Sequence, residues 1–226
     1  MNTRRDPFNF SEASIDKEQL RKTAFNLRWA TVDTDVIPLT AGEMDFPVAP
    51  EITEAITRHV SHGYLGYLPD LGLPSFREAV SENLRKNGVQ AHPDRIMATD
   101  GAASALRIAC NSVLSPGDEA ITFDPIDFLL PHCSKMAGAK VIRCPLEKGT
   151  GRLIPDSLEQ LVSEKTKALL ICNPHNPTGR VLRKSELLEI AEFAERHHLV
   201  IINDEVWSDI ILGSTPMVHL SSLSDE

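Results

Sequence analysis

Ala168-Leu169-Leu170-Ile171-Cys172-Asn173-Pro174-His175-Asn176-Pro177-Thr178-Gly179 is the stretch on which the fold turns. Five apolar residues in a row, without in/out alternation, suit a strand covered on both faces. They give way at once to a loop in which two prolines fix φ and withhold two amide donors, so the asparagine side chains become its polar groups. Gly179 permits a sharp exit from that loop. Helical periodicity resumes over 184–197, and a second apolar run, 199–203, follows. Toward the N-terminus the same alternation recurs: strands at 96–99, 120–123 and 140–144, helices at 102–114, 127–137 and 156–163. Ser115-Pro116-Gly117-Asp118 and Gly138 close two of those helices. Strands alternating with helix-length segments predict an α/β fold: a parallel sheet with helices on both faces.

Outward from that core the pattern weakens. Residues 1–50 read as irregular, with one short apolar piece, Val36-Ile37-Pro38-Leu39. A helix starts at Pro50, its apolar residues Ile52, Ala55, Ile56 and Val60 spaced for one face. A turn-rich stretch leads to a second helix over 75–86, which Asn87-Gly88 terminates. The 226 residues, 42% apolar and 24% charged, suffice for one large domain or one domain plus part of another. The net charge of −9 is spread with mixed sign. Nucleic acid and anionic membranes need a basic face, so neither is expected as a partner. No window is apolar enough to span a bilayer, and no apolar run follows Arg4 and Arg5, so a cytoplasmic protein is expected. Cys110, Cys133, Cys144 and Cys172 lack CxxC spacing and sit in apolar surroundings, which predicts buried free thiols rather than disulfides or metal ligands.

Open α/β sheets bind ligands at the carboxyl ends of their strands, and three such ends carry chemistry. After 96–99 come Asp100-Gly101-Ala102-Ala103-Ser104, residues small enough to leave first-turn amides open to a phosphate at the positive end of a helix dipole. The same residues also make an ordinary tight strand-to-helix turn. After 168–172 comes the proline-fixed loop, too constrained for a simple connection. His175 within it reads as a base, as a donor behind the site, or as a solvated side chain. After 199–203 come Asp204 and Glu205, then Trp207 and Asp209. A carboxylate at the end of a buried strand needs a cation or strong donor, which suits Asp204; Glu205 and Asp209 fit solvated loop acids better.

Taken together, these stretches resemble the class I/II aminotransferases, enzymes of the fold-type I pyridoxal-phosphate (PLP) group. Asn173-Pro174-His175-Asn176-Pro177-Thr178-Gly179 matches their N-P-x-N-P-T-G signature, and Asp204-Glu205 falls where their D-E-x-Y motif does. The resemblance implies a three-layer α/β/α, mostly parallel large domain, incomplete here. It places residues 1–50 in the small domain and substrate loop, and 51–226 in the PLP-binding domain. It further implies that Asp204 pairs with the pyridine nitrogen, Asn176 donates to the ring 3-oxygen, and the turn at Gly101 with the Ala102 and Ala103 amides holds the phosphate. Tyr67 would reach the phosphate of a neighbouring subunit, which implies a homodimer. Gly42, like Asn176, would lie near the amino-acid substrate.

Departures accompany the likeness. The family's aromatic ring stacked on PLP follows a proline; in Asp124-Pro125-Ile126-Asp127-Phe128 that position is Asp127, and the aromatic comes one place later. Either Phe128 stacks after a local shift, or stacking is lost. Trp207 replaces the D-E-x-Y tyrosine; its indole can donate to the 3-oxygen but cannot accept. The Schiff-base lysine of the family is expected beyond residue 226, so the chain is expected to be inactive alone. The two strands that follow in the family separate the first strand from the rest, so 96–99 would be left without neighbours. Asp35-Val36-Ile37-Pro38-Leu39, Met44-Asp45-Phe46 and His62-Gly63-Tyr64-Leu65-Gly66-Tyr67 look like the cystathionine β-lyase-type C–S lyases, whereas Thr40-Ala41-Gly42-Glu43 looks like aminotransferases. Transamination of amino acids is the expectation; β-elimination, or a non-catalytic PLP-binding module, are the alternatives.

Overall fold

The computed structural model describes residues 14–23 and 27–223. Two compact units divide the chain, Met1–Tyr67 and Leu68–Glu226. The first contains α1 (Lys17–Thr23), α2 (Leu27–Ala30) and α3 (Pro50–Ser61), so its first fifty residues are less irregular than the sequence implies. The two early helices are too short to show apolar periodicity, which is why they escape a pattern reading. Asp45 ties α2 to the turn that carries Gly42: it accepts from Trp29 Nε1 at 2.7 Å and from Arg28 at 3.1 Å. Helix α3 covers the predicted periodic segment, with Pro50 at its start.

The second unit opens with α4 (Pro74–Lys86), ended as expected by Gly88 at φ +85°. Then come α5 (Ala102–Val113), β1 (Glu119–Asp124), α6 (Leu129–Met136), β2 (Lys140–Pro145), α7 (Pro155–Glu159), β3 (Thr166–Cys172), α8 (Lys184–Arg196) and β4 (Val200–Asp204). The four strands form one sheet in the order β2-β1-β3-β4, and every pairing is parallel. Along β3 the residues alternate between two cores. Leu169 and Ile171 pack with Ile121, Phe123, Leu187, Ile190 and Phe193 under α7 and α8. Ala168, Leu170 and Cys172 pack with Leu106, Cys110, Leu130 and Cys133 under α5 and α6. A strand covered on both faces has no polar side to show, hence the unbroken apolar run. All four cysteines are buried free thiols. Among the described residues, no helix is long and apolar enough to cross a membrane.

Residues 96–99 do not form a strand. They run extended after a 3-10 turn at Pro93–Arg95, and the Ala98 amide binds the Leu71 carbonyl at 3.0 Å. Apolar β-forming residues make a strand only with a ladder partner, and among the described residues no strand lies beside these. Helix α7 is also shorter than the predicted 156–163, giving way to a turn before β3.

Candidate functional site

Because the strands are parallel, all four carboxyl ends share one edge of the second unit. The short turn from Leu114 to Asp118 joins the end of α5 to the start of β1, so the first turn of α5 lies at that same edge. Its cap residue, Gly101, is extended and provides no side-chain cap. Gly101, Ala102 and Ala103 are exposed, and a Cβ placed on Gly101 would meet nothing within 4 Å. The first amides therefore stand free of protein side chains, with the dipole favouring an anion. Helix α5 packs against β4, the strand that ends in Asp204.

Asp204 uses one oxygen locally: Oδ1 accepts from the Val206 amide at 3.0 Å. Among the described residues, Oδ2 has no partner, which leaves a half-buried carboxylate oxygen able to take a cationic N–H. Across the ladder from Asp204 sits Cys172. Burial first, and then the charges of Asp204 and Asp127, push its thiol up to about 11, with an opposing pull from the Asn176 backbone N–H. The thiol stays protonated and donates to the Pro174 carbonyl at 3.0 Å.

The loop after β3 closes on itself. The His175 amide binds the Arg180 carbonyl at 2.7 Å, and the Gly179 amide returns to His175 at 2.8 Å, with Gly179 at φ +70°. Asn173 is fully buried and works as a strut: Oδ1 accepts from Leu182 at 2.9 Å, and Nδ2 donates to Val218 at 3.2 Å. His175 is buried, not solvated, because the closed loop folds it inward; its Nδ1 meets Thr178 Oγ1 at 2.8 Å, while Nε2 has no partner among the described residues. Burial, helped by the Arg180 charge, pushes its pKa down to about 4. A neutral imidazole this enclosed is a structural element, not a base open to ligand. Arg180 clamps Glu186 with two bonds, 2.7 and 3.0 Å, and donates to the Gly151 carbonyl at 2.9 Å, which pins the loop exit to α8.

Asn176 is the asparagine left for other work, and its Nδ2 donates to Asp127 Oδ2 at 2.7 Å. It is Asp127, then, that faces Asn176, while Phe128 is 73% exposed at the start of α6. Trp207 is half-buried, and its indole has no hydrogen bond among the described residues. Asp209 is exposed as expected, but Glu205 is not a solvated acid. It accepts from Asn203 at 2.7 Å and Leu220 at 3.3 Å and meets His219 Nδ1 at 2.5 Å, fastening the 217–223 segment to the end of β4. Neither His219 nor Asp127 announces its partner in the sequence, since the partners lie 14 and 49 positions away. The second unit thus brings Gly101, Ala102, Ala103, Asn176, Asp204 and Trp207 to one edge. Tyr67 and Gly42, both exposed, belong to the first unit.

An uncapped helix terminus, a carboxylate with a free oxygen and an oriented amide at one sheet edge are what a small anionic, nitrogen-containing ligand requires. Comparison with known proteins agrees in kind. Residues 34–226 match the family model of class I and II aminotransferases. The aspartate aminotransferase of Pyrococcus abyssi is 38% identical over 192 residues, covering 84% of this chain and 49% of that protein. A probable aspartate/prephenate aminotransferase of Aquifex aeolicus is 36% identical, with 85% and 49% covered. Among solved structures, an aromatic aminotransferase from Pyrococcus horikoshii superposes with a TM-score of 0.81 at 35% identity, over 87% of this chain and 53% of that one. Cystalysin from Treponema denticola, which contains a pyridoxal 5'-phosphate cofactor, gives 0.82 at 27% identity, over 91% and 54%. The chain spans about half the length of these relatives. Matched along most of its length by that family model, with its strand-end loop intact, this chain belongs to the class I and II aminotransferase family.

Proposed function

We propose that this chain forms the PLP-binding part of an aminotransferase acting on amino acids. The observation that carries the reading is the convergence, at one sheet edge, of the partnerless Asp204 Oδ2, the Asn176 amide and the open first turn of α5. These groups fit PLP: an acidic oxygen for the pyridine N–H, a donor for the 3-oxygen, and free amides for the phosphate. Bound there, PLP supplies an electron sink for the bonds at the substrate Cα. Asp204 keeps the proton on the ring nitrogen. Asn176 and the Trp207 indole would donate toward the 3-oxygen, and Gly101, Ala102 and Ala103 would hold the phosphate. Tyr67 of a second copy would complete the phosphate site in a homodimer. The exposure of Phe128 favours the reading in which aromatic stacking on the ring is lost.

Catalysis also needs a lysine amine at the Cα. Among the described residues no lysine hydrogen-bonds to Asp204, Asn176 or Asp127, and Lys140 is held by Glu119 at the opposite end of the sheet. The reading for the chain by itself is cofactor binding without turnover. Names of the relatives point to aspartate and aromatic amino acids as donors for the complete enzyme. The test is equilibrium binding of PLP to the purified chain, with Asp204→Ala as control. Retained PLP, released by dialysis and weakened at least about tenfold in the variant, supports the reading. Failure to bind, or a cofactor fixed covalently by borohydride, counts against it. The lyase-like segments at 35–39, 44–46 and 62–67 support a second reading, C–S β-elimination. Pyruvate and ammonia released from cystathionine by the complete protein without an added keto acid would favour it over transamination.

A further inference from the structure

We propose that Asp127 is a positioning residue that sets which way round the Asn176 amide faces, and so gives the cofactor pocket its donor toward the 3-oxygen. The proposal rests on the PLP reading above. Asp127 Oδ1 is held by the Leu129 amide at 2.8 Å in the first turn of α6, which presents Oδ2 to Asn176 at 2.7 Å. An ionised carboxylate accepts and cannot donate. Asn176 must therefore turn its nitrogen toward Asp127, whereas a neutral neighbour would leave the two amide orientations close in energy. One Nδ2 hydrogen is spent on Asp127; the other has no partner among the described residues and is available to an acceptor on a ligand. The Asn173 amide, by contrast, is consumed at both ends by Leu182 and Val218, so it cannot substitute. The carboxylate at 127 thus does through Asn176 what an aromatic side chain there could not do.

Asparagine and alanine at position 127 separate this role from simple capping of α6. In Asp127→Asn, the new amide oxygen stays on the Leu129 N–H, and its NH2 group turns to Asn176. Asn176 then has to rotate and offer its oxygen instead. In Asp127→Ala nothing dictates the rotation, and Asn176 samples both orientations. The measurement is the ratio of affinities for PLP and its 3-deoxy analogue, read by equilibrium ultrafiltration on the full chain. Wild type is expected to prefer PLP about tenfold or more, as a charge-assisted donor to the 3-oxygen would give. Asp127→Asn should abolish most of that preference and Asp127→Ala only part of it. In an Asn176→Ala background neither substitution should change the ratio further. Because the readout is a ratio on each folded variant, a loss of stability cancels, and Asp127→Asn keeps the helix cap. The opposite ranking, with Asp127→Asn like wild type and Asp127→Ala weakened equally for both ligands, would show mere capping and overturn the proposal. An unchanged ratio in all variants overturns it while leaving the PLP reading intact. Absence of PLP binding to the wild-type chain overturns both.

Discussion

β3 and the segment 96–99 both run extended toward the same edge of the second unit, and they end up in opposite conditions. β3 is hydrogen-bonded on both sides, to β1 and β4, and its residues from Ala168 to Ile171 are fully buried. Among the described residues the segment 96–99 has no strand beside it, its Met97 is 45% exposed, and its backbone is tied by the Ile96 amide to Pro93 and the Ala98 amide to Leu71. The difference teaches that apolar β-forming residues specify a strand only where the topology supplies neighbours on the ladder. β4 is intermediate: among the described residues it pairs with β3 alone, and its Val200 is 47% exposed.

The sharpest way to break this comparison is truncation on each side of it. Leu169→Ala or Leu170→Ala should cost about 2–5 kcal/mol, the range for emptying a filled core position, whereas Ile96→Ala should cost less than about 1 kcal/mol. Urea denaturation followed by tryptophan fluorescence checks both, and comparable losses would mean that 96–99 is packed after all. The loop beyond β3 offers the next effect. The buried His175 has a folded-state pKa of about 4, below the ordinary 6.5. As pH falls through 6.5 the unfolded chain takes up a proton that the folded chain refuses. Stability is thus full above about pH 6.5 and declines toward pH 4, by roughly 3 kcal/mol across the whole interval. Comparing urea midpoints at pH 7 and pH 4.5 measures the slope, and His175→Gln should flatten it.

Asn173→Ala comes third. It strands the Leu182 amide and the Val218 carbonyl, costing about 1–3 kcal/mol. Hydrogen exchange should speed up over 217–223, which Asn173 holds beside β3, while amides at 96–99 exchange fast in both proteins. Smallest is Phe128→Ala at the exposed start of α6, expected to change stability by less than about 0.5 kcal/mol in an unfolding titration. A large loss there would mean that Phe128 has a partner and would reopen the stacking role.

The legibility of the site follows the same physics as the fold. Asn173, Asn176 and Asp204 could be read because proline rigidity and a charge at a buried strand end are local signals. Division of labour between the two asparagines was not readable, since it depends on Leu182, Val218 and Asp127 arriving from separate elements. Glu205 was misjudged for the same reason: its environment is made by His219 and Leu220, brought back across the end of β4. His175 changed from a plausible base to a buried neutral ring once the loop closed through Arg180.

By itself the sequence determined the alternation of strands and helices, the parallel sheet, the burial of all four thiols and the family signature at 173–179. Those features depend on residues near one another in the chain: apolar runs, caps, prolines and glycines. Tertiary structure alone decided that Asn173 is consumed by Leu182 and Val218 while the Asn176 side chain meets Asp127. Ladder partners and side-chain hydrogen bonds are long-range choices, settled by which elements the sheet topology brings together.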